Sequence, residues 1–470
     1  MATRIRDLLV QRSQERFALH ERHLNTQMVR VLRTIGFDRH YVRGEGPFLF
    51  DDDGHRYLDL LSGFGVFALG RNHPTITQAL RDVLDAGLPG LVQMDVSALA
   101  GILAERLVAT APGDLDKVFF ANSGAETVEA AIKFARMHTG RPGLAYCEHG
   151  FHGLTLGALS VNGEGAFREG FGPLLPHSER VPWNDLAALE RVLASRQIAA
   201  FIVEPIQGHG VNLPDDDYLP EAARLCRKHG TLFVADEIQT GLGRTGRFWA
   251  VEHWGVEPDL LLSAKALSGG FAPVGAVLLR RDVFDSVFSN MLRAPVHGST
   301  FSKNDLAMAA GIATLEVIQE HDLCAHAERT GRALLADLAP LVSRYDFVHD
   351  VRGLGLMTAI EFAPPERLKL RAAYRLVDTA QKGLFSQLVT VPLFQKHRIL
   401  SQTAGHDLPI VKFLPPLVIG DAERRWIRDA VDAVVAETQR PGGAIWDLGK
   451  HLASAALRTK RRSAPQAGIS

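Results

Sequence analysis

From about residue 115 to residue 280 the chain repeats one texture: short runs of branched apolar residues alternate with Ala, Leu and Arg-rich stretches of helical length. KVFFA precedes GAETVEAAIKFARMHT, FIVEP precedes PEAARLCRKHG, and LFVADE, LLLSAK and GAVLLR follow. Strands apolar on both faces, linked by helical crossovers, predict a largely parallel sheet covered on both sides, hence an α/β fold. The ends of three such strands carry Glu204, Asp236 and Lys265, at separations of 32 and 29 residues. Each interval is about one β-α repeat, so all three residues are expected at the carboxyl edge of the sheet, where open α/β sheets bind ligands. One polar residue after a strand is an ordinary solvated strand end. Three at matched spacing place an amine and two carboxylates at one crevice.

A further strand end opens a helix at Asn122-Ser123-Gly124-Ala125-Glu126. Small residues there let backbone N–H groups approach an anion at the positive helix terminus, although the same residues also suit a plain Ser N-cap. A phosphate cup, a lysine able to form a Schiff base and an acid able to hold a pyridinium nitrogen are the parts needed around pyridoxal 5′-phosphate.

Composition narrows the alternatives. The chain has 470 residues, 46% of them apolar and 22% charged, which fits a soluble globular protein of roughly three folding units. Its 52 basic and 53 acidic residues leave a net charge of −1, against a dedicated nucleic-acid binder. Cys147, Cys226 and Cys324 are three and widely separated, matching neither a disulfide framework nor a metal-binding CxxC, so a reduced, cytoplasmic setting and no metal are expected. No apolar run is of membrane-spanning length, and the start of the chain lacks the apolar core of a secretory signal.

Residues 1–40 hold eight Arg against four acidic residues with partly helical apolar spacing, and predict helical arms packed on the body or on a neighbouring subunit; a basic membrane-surface helix is the alternative. Tyr41 to Ser62 predicts a β-meander turning at DDDG. The expected division is 1–75, helical arm and meander belonging to a small domain; 76–330, large cofactor-binding domain; 331–450, smaller α+β domain; and 451–470, a basic tail without fixed structure.

The chain resembles the class III (ornithine-type) aminotransferases of pyridoxal-phosphate fold type I, over about Tyr41 to Glu437. Six ordered segments carry the likeness: NSGAE at 122–126, GFHGLT at 150–155, VEPIQG at 203–208, DEIQTGLGRTG at 236–246, SAKALSGG at 263–270 and HGSTF at 297–301. The resemblance implies that Lys265 carries the cofactor and later shuttles a proton, and that Asp236 pairs with the pyridine nitrogen. It further implies that Ser123, Gly124 and Ala125 bind the phosphate, that Phe151 stacks on the ring, and that His152, Glu204 and Gln239 complete the polar surround. Thr300 would reach the phosphate of the adjacent subunit, making a homodimer the minimal active unit.

Departures from the ornithine-type pattern bear on substrate. Where that group commonly has Glu after EPIQG and Arg before F-x-P-P-L, this chain has His209 and Lys412; Phe64 stands where Tyr is frequent, and Lys303 lies in a segment usually Gly-Gly-Asn-Pro. Lysine lacks the planar two-pronged grip of arginine on a carboxylate. The implied reaction is amino transfer between a primary amine, or its aldehyde, and a 2-oxo acid, with glutamate and 2-oxoglutarate as the usual pair. Putrescine aminotransferases and those associated with hopanoid side chains are the subgroups it is most similar to. Ornithine or acetylornithine transamination is the alternative, an aminomutase a further one, and a non-catalytic regulator keeping the fold is the alternative of another class. Arg244, Arg352 and Lys412 all stand as carriers for the glutamate carboxylate.

Overall fold

The computed structural model describes residues 4–92, 94–405, 407–440, 443 and 446–454. Three helices, Ile5–Arg12, Arg16–His23 and Thr26–Ile35, form the expected N-terminal arm. The third is capped by Asn25, whose side chain accepts from Gln27 and Met28 N–H, and ends at Gly36 with φ 71°. The meander follows as β1 (Tyr41–Glu45), β2 (Phe48–Asp51) and β3 (Arg56–Asp59), successively antiparallel.

The large sheet contains β4 (Leu115–Ala121), β5 (Gly143–Cys147), β6 (Ser178–Val181), β7 (Ile198–Val203), β8 (Leu232–Asp236), β9 (Leu260–Ser263) and β10 (Gly275–Arg280), in the order β4-β10-β9-β8-β7-β5-β6. Every residue of β5, β7, β8 and β9 is buried, because helices cover both faces and no residue has a solvent side. Neighbours from β9 to β6 are parallel, and β10 is antiparallel to both β9 and β4. The reversed β10 makes β4 run with β9, so Ala121 ends on the same edge as Val203, Asp236 and Ser263. The sheet is therefore mixed at one strand and otherwise parallel, as the alternating texture predicts.

Helices Gly124–Thr139, Tyr218–His229 and Asp305–Glu320 pack against this sheet or its flanks. Two stop at a left-handed glycine, Gly140 with φ 67° and Gly230 with φ 66°. A third sheet joins β11 (Val348–Leu354), β12 (Met357–Phe362), β14 (Gln402–Thr403) and β15 (Ile410–Phe413), while β13 (Ile399–Leu400) pairs parallel with β3. Chain from both halves of the sequence thus shares the meander sheet. Leu414 N–H donates to the Leu60 carbonyl at 2.7 Å, tying the end of β15 to the segment after β3.

One boundary shifts. The expected structureless tail begins at 451, but residues 446–454 are helical, with Trp446, Leu452 and Ala453 buried, so apolar packing carries the helix past that point. The remainder of that stretch, 455–470, lies outside the described residues. No helix among the described residues is long and apolar enough to cross a membrane.

Candidate active site

The register of β7, β8 and β9 sets the chemistry. Val203 is paired with Ala235, and Asp236 with Leu262, so the residues that leave these strands emerge side by side. With strands about 4.8 Å apart, Glu204 and the Lys265 backbone are separated by roughly 10 Å, within reach of side chains from both ends. Lys265 begins a short 3-10 turn just beyond β9 and has φ 42°, an unusual conformation for a non-glycine residue of the kind found at functional sites. Burial lowers its amine below the ordinary lysine pKa, against the opposing charges of Asp236 and Glu204. A lowered pKa increases the fraction of amine able to attack a carbonyl.

Asp236 is buried, and its Oδ2 lies 2.7 Å from His152 Nδ1, while Oδ1 accepts the N–H of Ile238 at 3.1 Å. Burial works against protonation of His152, but the hydrogen bond and charge of Asp236, with the charge of Glu204, prevail and raise its pKa. His152 is completely enclosed, and Asp236 is the partner of its Nδ1. Its Nε2 is buried without a partner.

Glu204 is spent on the backbone. Its Oε1 accepts from Phe151 N–H at 2.9 Å and its Oε2 from Gly208 N–H at 2.8 Å, although burial raises the pKa of the carboxyl. It thereby fixes two loops: the one carrying Phe151 and the one carrying His209. The rings of Phe151 and His209 have centroids 5.1 Å apart, and Phe167 meets both, at 5.6 and 6.0 Å. Phe167 had no motif to announce it; it arrives on the short helix Gly165–Arg168. Burial, then the positive charge of Lys412, depresses the His209 pKa to about 4, so the imidazole is neutral near pH 7.

At the end of β4, Ser123 caps helix Gly124–Thr139, its Oγ accepting from Glu126 N–H at 3.2 Å. The Glu126 carboxylate folds back on Asn122, accepting from its backbone N–H at 2.7 Å and its side-chain amide at 3.0 Å. The first N–H groups of a helix, here those of Gly124 and Ala125, have no partner within the helix. A Cβ on Gly124 would stand 2.8 Å from Ile238 Cδ1, so this position admits only glycine without a shift. Asn122 Nδ2 also donates to Ser299 Oγ at 2.7 Å, bringing the 297–301 segment of the same chain beside the cup. Thr300 is exposed and lines a cavity of about 860 Å³ together with Ser97, Phe120, Lys303 and Asp305; Lys265 and Asp236 are not among its lining residues.

The remaining candidates diverge. Lys412 on β15 is buried, and its Nζ donates to the Gly208 carbonyl at 2.6 Å and to Gln239 Oε1 at 3.0 Å. Burial lowers its pKa to about 7, assisted by the charge of Lys265. Gln239 Nε2 donates to the Phe64 carbonyl at 3.0 Å. Arg352 is occupied by Asp350 at 2.8 Å, by Glu361 and by the carbonyls of Gly210 and Val211. Arg244 is buried with Nη1 on the carbonyls of Leu356 and Pro415, leaving its Nη2 without a partner.

An amine of lowered pKa, a buried acid on the neighbouring strand and an open helix N-terminus on the same sheet edge suit the aldehyde, pyridine nitrogen and phosphate of pyridoxal phosphate in turn. The comparisons agree. The chain is 36% identical over 436 residues to the aminotransferase PigE of Serratia sp. (strain ATCC 39006), covering 86% of this chain; it spans about half of that relative, 51%. It is 39% identical over 399 residues to the acetylornithine aminotransferase of Methanopyrus kandleri, covering 84% of this chain and 94% of the relative. The ornithine aminotransferase of Toxoplasma gondii, solved with partial occupancy of PLP at its active site, superposes with a TM-score of 0.75 at 32% identity, over 86% of this chain and 91% of that one. The profile of the family described as aminotransferase class-III matches residues 34–435, and the chain belongs to that family of pyridoxal-phosphate-dependent transaminases.

Proposed function

We propose that the enzyme moves an amino group between a primary amine that lacks an α-carboxylate, or the matching aldehyde, and a 2-oxo acid, with glutamate and 2-oxoglutarate as the donor and acceptor pair. The observation that carries this reading is the state of the two departures. His209 is neutral and packed among Phe151 and Phe167, and Lys412 is held by a carbonyl and an amide. A wall of this kind favours an uncharged carbon skeleton, such as a diamine chain or a bulky amphiphile of the hopanoid side-chain type, over a second carboxylate.

Bound pyridoxal phosphate would supply an electrophilic carbon and an electron-accepting ring. Lys265 would hold it and move the substrate proton; Asp236, positioned by its contact with His152, would pair with the ring nitrogen and hold it protonated. Ser123, Gly124 and Ala125 would take the phosphate. Phe151, fixed through its own N–H by Glu204, would cover one ring face, and Gln239 would present its amide to the ring hydroxyl. Phe64, His209 and Lys412 would border the substrate. Thr300, exposed on its own subunit, would serve the neighbouring site in a homodimer, in the cytoplasm.

Single-turnover assays with a diamine, an ornithine-type amino acid and a bulky aldehyde test the substrate reading. Turnover only of substrates bearing an α-carboxylate on both sides would overturn it in favour of ornithine or acetylornithine transamination, which the likeness to the Methanopyrus kandleri enzyme supports. Inactivity of Lys265→Ala subunits mixed with Thr300→Val subunits, in contrast to partial recovery, would count against the shared site.

A further inference from the structure

Ser62, Gly63, Phe64 and Gly65 have φ values of 47°, 62°, 62° and 94°: four successive residues in the left-handed region. For the two non-glycine residues this conformation costs about 1–2 kcal/mol each and persists only where the surroundings enforce it. One end of the turn is held within its own segment. Asp59 Oδ1 accepts from Leu61 N–H at 3.1 Å and Ser62 N–H at 2.8 Å, while Arg71 grips Asp59 Oδ2 at 2.6 Å. The other end meets the site through the bond from Gln239 Nε2 to the Phe64 carbonyl.

That bond exists only in one orientation of the Gln239 amide. The Phe64 carbonyl accepts and never donates, so the NH₂ must face it and the oxygen must face the other way. Lys412 Nζ supplies the donor on that side. Its ammonium has only N–H to offer, and even the neutral amine would keep two donors for Gly208 and Gln239. Lys412 is itself seated rigidly: it is buried on β15, with Leu414 two residues on bound to Leu60 just ahead of the turn. A Cβ on Gly65 would stand 3.8 Å from both Gln239 Cγ and Leu414 Cδ1, so the same two elements flank the turn.

From this chain of contacts we infer that Lys412 is a positioning residue: through Gln239 it holds the strained Ser62–Gly65 turn, and with it Phe64, in the amine-accepting conformation, and it does not anchor a substrate carboxylate. This deepens the amine reading of the site. Its kinetic arm depends on that reading, whereas its exchange arm is measured without substrate and stands even if the substrate class is wrong.

The test is hydrogen–deuterium exchange on the holoenzyme and on the cofactor-free protein, read on peptides spanning residues 61–67, together with separate half-reaction kinetics. Lys412→Met and Gln239→Leu should each speed exchange there by about tenfold, the effect of losing one supporting hydrogen bond. The double variant should be no faster than the faster single one, because both act on one contact. In Lys412→Met the kcat/KM for amine should fall while the KM for 2-oxo acid stays within about twofold. Unchanged exchange at 61–67, additive effects in the double variant, or a selective rise in 2-oxo acid KM would overturn the proposal; the last would make Lys412 a carboxylate anchor. Should Lys412→Met fail to fold, Gln239→Glu decides, since it still accepts from Lys412 but offers the Phe64 carbonyl no donor. Faster exchange at 61–67 then supports the relay, and wild-type exchange refutes it.

Discussion

Replacing His152 by leucine isolates the buried pair that holds the Asp236 carboxylate in place. The lost contact is a 2.7 Å hydrogen bond between two side chains that are 0% and 2% exposed. Removing one partner of a buried ion pair typically costs about 3–5 kcal/mol. Two features reduce the cost here. Asp236 keeps the N–H of Ile238, and the substitution removes the unpartnered Nε2, whose burial itself costs on the order of 1–3 kcal/mol. The expected loss is therefore about 2 kcal/mol near pH 6, roughly a 30-fold shift toward the unfolded state. The pH dependence has a definite sign. His152 has a folded-state pKa raised above its unfolded value, so its ionic contribution is complete below about pH 6.5 and disappears as pH rises through the folded pKa. Chemical denaturation of cofactor-free protein at one fixed concentration, repeated between about pH 5.5 and 8.5, measures it. His152→Asn keeps an N–H near the Nδ1 position but cannot titrate, so it should lose the pH-dependent part and retain much of the remainder. A Leu variant within about 0.5 kcal/mol of wild type, or a difference that grows with pH, would refute the pairing as the support of Asp236.

Lys265→Ala should abolish the visible absorbance that wild-type protein retains after incubation with pyridoxal phosphate and desalting; an unchanged spectrum would remove Lys265 from its role. Gly124→Ala places a methyl 2.8 Å from Ile238 Cδ1, the movable end of a side chain, and 3.1 Å from its Cγ2, so Ile238 should shift and cofactor affinity in a fluorescence titration should fall only about threefold; a loss beyond about tenfold would show that the first-turn N–H groups moved instead. All three cysteines are free, and burial pushes the thiols of Cys147 and Cys324 up to about 12 and 11 and that of Cys226 well above its usual value. A thiol reagent at pH 8 should therefore label none of them rapidly in the native protein and all three after denaturation; fast labelling of the folded chain would contradict this packing.

How much of this was legible before folding depends on the range of the interaction involved. Glu204, Asp236 and Lys265 announce themselves because strand, crossover and strand are local patterns of fixed length, and a parallel register then brings their ends together without further information. The Ser123 cap is equally local. The N-terminal arm and meander were also readable from periodicity and turn residues. By contrast, helices Pro74–Asp85 and Leu368–Ala380, Phe167 and the bonds of Gln239 carried no signal strong enough to place them at the sequence level.

The order of residues along the chain was sufficient to set the sheet, the edge where Glu204, Asp236 and Lys265 gather, and the family, because each follows from periodicity or from contiguous motifs. Tertiary structure alone decided what the buried groups do. His152 turns out to serve Asp236, Glu204 to brace two loops, and Lys412 to face a carbonyl and an amide. Apart from Gly208, four residues from Glu204, those partners lie between 53 and 204 residues away, and a buried polar group takes its role from whichever complementary group the fold brings within about 3 Å.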